Sequence, residues 1–111
     1  MAEAYKVLAQ AHLTTTSDTD IYTVPSATEA VVSTLVVANI GTAAATYNIA
    51  IRPDGDTLAN SQYIAKGVAI AANDSTTLTL GITMDATDVV TVATETANTL
   101  SFNIFGTEIT A

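Results

Sequence analysis

The sequence predicts an all-β fold, an antiparallel β-sandwich of about eight strands, jelly-roll-like, with residues 1–111 forming a single domain. Three observations predict it. Thr and Ala are the commonest residues, whereas Leu, Lys, Glu and Arg, the usual material of exposed helices, are scarce; the branched Cβ of Thr and Val suits a pleated backbone. Apolar residues recur with a period of two rather than 3.6. Turn signals separate these runs at regular intervals, as in a sandwich or barrel.

The strands follow in order. Residues 5–9 are a candidate first strand, and residues 20–24 a short second one closed by Pro25. The clearest strand is 30–39, where Val31, Leu35 and Val37 are expected on one face and Val32, Val36 and Ala38 on the other. Apolar residues on both faces predict a central strand whose second face is covered by something beyond the opposite sheet, such as another subunit. Asn39-Ile40-Gly41-Thr42 reads as a turn, and residues 46–52 follow with Tyr47, Ile49 and Ile51 inward, so the two strands are expected to pair as a hairpin. Pro53-Asp54-Gly55-Asp56 ends that run, because Pro presets φ and Gly accepts positive φ. Extended structure resumes over 62–70 with a bulge or bend at Gly67, and 71–74 is the next turn. Residues 76–80 alternate with Leu78 and Leu80 expected inside; residues 81–88 then cross over to a strand at 89–92. Residues 95–98 form a loop tip, and the last strand, 100–106, sets Leu100, Phe102 and Ile104 on one face with Ser101 and Asn103 opposite.

Composition narrows the function classes. The chain has no Cys, which removes disulfides and thiolate metal sites. Three cations, Lys6, Arg52 and Lys66, stand against eleven acids, for a formal net charge of -8. Such a surface repels phosphate backbones and anionic bilayers, so nucleic acid and membrane are not expected partners. The apolar run at 30–38 is broken by Ser33 and Thr34 and is far shorter than a span of about 20 residues. The first residues have no basic region followed by an apolar run, so no secretory signal is expected and synthesis is expected in a cytoplasm.

Side chains for catalysis are few. A nucleophilic triad requires a His, and the single one, His12, is expected in a solvated Thr-rich loop. Ser17, Ser26, Ser33, Ser61, Ser75 and Ser101 occur without a Gly-x-Ser-x-Gly elbow. The pairs Asp18/Asp20 and Asp54/Asp56 have the chemistry of an acid and base or of Ca²⁺ ligands, but turn formation accounts for Asp54-Gly55-Asp56 after Arg52-Pro53. Asp74 and Asp88 sit where Asp bonds to local backbone. No catalytic residue, cofactor site or metal site is therefore predicted, and the chain is not expected to be an enzyme. Tyr47 and Phe102 are expected in the core, and Tyr63 and Phe105 are candidates for contact with a partner.

The segments Tyr5-Lys6-Val7-Leu8-Ala9-Gln10, Ile21-Tyr22-Thr23-Val24-Pro25, Val31-Val32-Ser33-Thr34-Leu35-Val36-Val37-Ala38-Asn39, Ile51-Arg52-Pro53, Ala71-Ala72-Asn73-Asp74 and Leu100-Ser101-Phe102-Asn103-Ile104-Phe105-Gly106 together resemble small virion proteins of tailed bacteriophages and cyanophages. Asp54 and Asp56 depart from the pattern of the Arg-Pro turn in such proteins. The resemblance implies a β-sandwich in the virion that works as a homo-oligomer, with a trimer favoured. The implied role is capsid decoration (cement) on a major capsid protein; a tail, neck or baseplate component is the alternative, and a receptor- or glycan-binding module the third reading. No reaction is implied: the mechanism is adhesive. On this reading the candidate interface comprises Tyr5, Val7 and Leu8 of the first strand, Tyr63, and Phe105 and Ile109 near the end of the last.

Overall fold

Alternating apolar residues produce eight strands in the computed structural model, which describes residues 2–110. They are β1 (Ala2–His12), β2 (Thr19–Thr23), β3 (Thr28–Asn39), β4 (Ala45–Arg52), β5 (Tyr63–Ile70), β6 (Ser75–Met84), β7 (Val89–Thr94) and β8 (Leu100–Thr110), with short 3₁₀ turns at Pro53–Gly55 and Asn60–Gln62. Two four-stranded antiparallel sheets form, ordered β1-β8-β3-β6 and β2-β7-β4-β5. First pairs with last, second with seventh, third with sixth and fourth with fifth. This is the order of a jelly roll, a long hairpin rolled so that β8 lies beside β3 and β7 beside β4.

The core lies between the sheets. Leu35, Val37, Leu100, Phe102 and Ile104 from the first sheet meet Tyr47, Ile49, Val90 and Val92 from the second, all closed to solvent. Burying each such side chain stabilises the fold by about 1.5–3 kcal/mol. The inward set on β8 is as the alternation predicts, and so are Tyr47 and Ile49 on β4; Ile51 is half-buried against the same core.

Several expectations are corrected. β3 and β4 do not pair as a hairpin: they belong to different sheets, and the chain passes from one layer to the other after Asn39. Asn39 itself holds that passage. Its buried side-chain amide donates to Ala43 O (2.9 Å) and Ile70 O (3.1 Å), and its Oδ1 accepts from Gly41 N (2.9 Å), which arches the loop away from the sheet plane. β1, β6 and β8 are longer than their apolar cores, and His12 is the last residue of β1, paired with Ser101, rather than a loop residue. β6 runs through Gly81 to Met84, so the crossover is confined to residues 85–88.

The faces of β3 are also corrected. Val32, not Val31, shares the buried face with Leu35 and Val37, because the register shifts between Val32 and Thr34 and leaves Ser33 as an extra residue. Such a bulge puts two residues of equal facing an odd number apart. β6 has its own irregularity at the same level: Ile82 pairs with Val32 but Thr79 with Thr34, so Leu80 and Gly81 fall outside the register. Gly81 takes φ of 70°, and Leu80, expected inside, is 39% exposed. The bulge expected at Gly67 is present, with φ of 63° and a register shift between Tyr47 and Ile49 on the partner strand.

Gly106 lies on β8 in close approach to the strands on both sides. It pairs with Lys6 on one side and Val32 on the other, and a Cβ placed on it would lie 2.0 Å from the Val31 carbonyl oxygen. That neighbour is backbone inside a sheet and cannot swing away. Gly106→Ala is expected to lower the unfolding free energy by about 3 kcal/mol or more, measured by urea titration against the wild type.

Candidate functional site

No pocket opens among the described residues, and no group of three or more acidic or His side chains is placed to hold a metal ion. The chemistry available is that of surfaces. On the first sheet, cross-strand partners point to the same side, so each row of residues lines one face. The rows Ala4–Glu108–Ala30–Met84 and Lys6–Gly106–Val32–Ile82 face the interior. Between and beyond them, Tyr5–Thr107–Val31–Thr83 and Val7–Phe105–Thr34–Thr79 face outward. Past the bulge in β1, the outer face turns polar: Gln10 Nε2 donates to Asn103 Oδ1 (2.8 Å), and His12 lies beside Ser101.

The six candidate interface residues divide by this geometry. Tyr5 and Val7 are 79% and 49% exposed, and Phe105 and Ile109, half-buried, share their outer face. Ile109 is flanked by Glu3 and Glu29. Leu8 sits in the β1 bulge and packs partly onto the core. Tyr63 is remote, at the start of β5 on the second sheet, with the Lys66 ammonium 4.2 Å from its ring centre. β8 has neighbours on both edges, so Phe105 and Ile109 present a face and no free strand edge.

β1 is an edge strand, and a polar clamp holds it to the second sheet. Lys6 points inward and its Nζ is 2.5 Å from Glu108 Oε1; the Tyr22 hydroxyl of β2 donates to Glu108 Oε2, also at 2.5 Å. Glu108 is 13% exposed. The hydrogen bond from Lys6 is the largest cause holding its carboxyl below the ordinary carboxylate range; the bond from Tyr22 adds to this, and burial opposes both. The Tyr22 phenol is pushed well above its usual range, first by burial and then by its bond to Glu108. An inward-pointing charge on an edge strand also discourages indiscriminate pairing.

The second sheet has a separate node. Arg52 donates from Nε to Thr91 Oγ1 (2.9 Å), from Nη1 to Gly55 O (3.2 Å) and Asp56 O (3.0 Å), and from Nη2 to Asp20 Oδ2 (2.8 Å). Thr91 Oγ1 in turn donates to Asp20 Oδ1 (2.8 Å). The Pro53–Gly55 turn is thereby tied to β7 and β2, so the Arg-Pro turn signal in the sequence serves this anchoring. Asp54 and Asp56 belong to that turn: Asp56 N donates to Pro53 O (3.0 Å), and Asp54 N donates to Asp88 Oδ1 (2.8 Å). Asp74 and Asp88 bond to local backbone as expected, Asp74 Oδ1 accepting from Ser75 N and Asp88 Oδ2 from Asp85 N.

Sequence reasoning missed part of the exposed apolar set. Ile40, Ile64, Val68 and Leu80 are exposed besides Tyr5 and Val7. Five of these six lie on β1, β5 or β6, each at the edge of a sheet. The available signals were Gly67 and Gly81, glycines inside strand patterns next to apolar residues.

No family model matches the chain, and no curated protein matches it. Among solved structures, it is similar to a chain in the acidic stable capsid structure of Helicobacter pylori bacteriophage KHP30, at 14% identity and a TM-score of 0.59, over 99% of this chain and 94% of that one. The two share a fold. At this identity the likeness is one of architecture, end to end. A chain in the structure of infectious bursal disease virus Gt strain aligns at 9% identity and a TM-score of 0.47 over 96% of this chain and 30% of that one, too distant to bear on the fold.

The Glu108 clamp predicts a pH dependence. A carboxyl whose native pKa is lowered stabilises the fold fully above its ordinary value of 4.5, which it keeps in the unfolded chain, and loses that contribution as pH falls through the lowered native value. In thermal unfolding followed at about pH 7 and about pH 3, the wild-type Tm is expected to drop more than that of Glu108→Gln. Equal drops in the two proteins would show that the clamp contributes nothing.

Proposed function

We propose that this chain is a structural protein of a virion, a decoration (cement) subunit that docks as a homo-oligomer, with a trimer favoured, on a shell built by a major capsid protein. The observation that carries this reading is the end-to-end likeness of the jelly roll to a chain in a phage capsid structure, with nearly the whole of both chains superposed. The phage-like segments in β1, β3 and β8 support it independently of the fold. So does the surface: with no pocket among the described residues, the outer face carrying Tyr5, Val7, Phe105 and Ile109 is the chemistry this molecule offers to others.

The mechanism is adhesive. A subunit that binds the assembled shell and not its separated parts stabilises the shell by mass action, about 2.7 kcal/mol per site at a concentration one hundred times Kd. Apolar contact supplies most of that free energy, and the acidic surface keeps unbound copies soluble.

The reading is tested on purified particles. The chain is expected in high copy on filled heads, and heads stripped of it should rupture at a lower temperature and recover when it is added back. Co-purification with tails at low copy would overturn the decoration role in favour of a tail component. Specific binding in a soluble-sugar screen, abolished by Tyr63→Ala, would overturn it in favour of a glycan-binding module.

A further inference from the structure

β1 divides at its bulge into an anchored half and a free one. Leu8 and Ala9 pack against the core, Leu13 just beyond the strand is 3% exposed, and the Leu13 amide donates to Leu100 O (3.1 Å). Residues 2–7 differ: every one is exposed, and none of their apolar side chains joins the core or packs against it. Their backbone pairs with β8 from Ala2 opposite Thr110 to Val7 opposite Phe105, and the register then breaks between Val7 and Ala9. A segment with so little apolar burial, held at a sheet edge by exposed backbone bonds, belongs to the least stable part of a fold.

A single side-chain link leaves this segment. Among the described residues, the contact of Lys6 Nζ with Glu108 Oε1 is the one side-chain hydrogen bond or ion pair that residues 2–7 make with another strand; the Tyr5 hydroxyl donates to Glu3 within the segment. Glu108 is tied in turn to the second sheet by the Tyr22 hydroxyl. The hold on residues 2–7 from outside their own backbone pairing therefore passes through one carboxylate.

Lys6 from β1 and Tyr22 from β2 are the titratable groups that face this carboxylate. Its row neighbours, Ala4 on β1, Ala30 on β3 and Met84 on β6, carry no charge, and Glu3 and Glu29 flank Ile109 in the next row, on the opposite face of the sheet. In acid a lysine stays charged and a phenol neutral, so Glu108 is the member of the trio that titrates.

We infer that residues 2–7 form an acid-released arm: the Lys6–Glu108–Tyr22 contact latches it at neutral pH, the bulge at Leu8 is its hinge, and protonation of Glu108 lets it lift from β8 while residues 9–12 stay paired. A carboxylate held below its ordinary range keeps its charge, and with it the latch, until the pH falls through that lowered value. The lifted arm uncovers the β8 backbone from Phe105 to Thr110, an edge able to accept another strand.

The test is backbone amide exchange of the intact protein, read residue by residue by NMR as protection factors at about pH 7 and about pH 3. Amides of residues 2–7 that bond to β8 are expected to lose about tenfold or more in protection at the lower pH, while those of residues 9–12 keep theirs. Lys6→Met, which keeps an apolar stem and removes the ammonium, is expected to show the lowered protection of residues 2–7 at both pH values. Glu108→Gln replaces it, with the same expectation, if Lys6→Met loses its native circular dichroism. Full protection of residues 2–7 at the lower pH, an arm already unprotected at the higher one, loss of protection in residues 2–7 and 9–12 together, or a folded variant with the wild-type pH response would each overturn the inference.

Discussion

The line of bulges that crosses the first sheet beside Gly106 decides which side chains this protein hides and which it shows. β8 passes through that level without interruption, while β1 carries Leu8 and β3 carries Ser33 as extra residues, and β6 loops out Leu80 and Gly81. In β1 and β3 one extra residue reverses the facing of everything beyond it. Val32 is therefore buried along with Leu35, and Lys6 is turned in toward Glu108 while Tyr5 and Val7 are turned out. The tight approach at Gly106 is the local expression of the same distortion, since the β3 backbone there leaves no room for a side chain on β8.

Polar contacts fix what the apolar core leaves free. A sandwich core is tolerant of sliding, and its ends and edges are where the strand order must be enforced. Asn39 holds the passage from β3 to β4 through three hydrogen bonds, Arg52 binds the β4–β5 connection to β7 and β2, and the Lys6–Glu108–Tyr22 clamp joins the two sheets where β1 and β2 end them. Each of these groups sits where an unpartnered polar atom would be costly, and no buried side-chain nitrogen or oxygen among the described residues lacks a partner. Most of the large apolar residues that stay exposed lie on the edge strands β1, β5 and β6.

Much of the fold was legible in the sequence because the period of two survives in single strands. Leu100, Phe102 and Ile104 announce their shared face, and Thr-rich runs bounded by Pro53, Gly55 and Asn73 announce strands and turns. The facing of the candidate interface residues was legible only in part. Tyr5 and Val7 are as exposed as their edge position predicts, but Leu8 turns toward the core through a bulge, and Leu80 turns away from it through another. Where no glycine marks the run, as in β1 and β3, nothing in a local pattern distinguishes an alternating strand from one whose phase is reset midway, because the reset is imposed by neighbours distant in sequence.

The sequence by itself determined the class of fold, the approximate strands, the scarcity of catalytic side chains and the acidic surface, all of which follow from residue type and nearest-neighbour spacing. Only the tertiary structure decided that β3 and β4 part into separate layers, that β8 lies inside its sheet, and that the exposed apolar residues gather on the edge strands of the sandwich. Those are questions of which strand lies beside which. They are settled by cross-strand hydrogen bonds and interlayer packing between residues as far apart as Ala2 and Thr110, and such pairings leave no mark in the alternation of either strand alone.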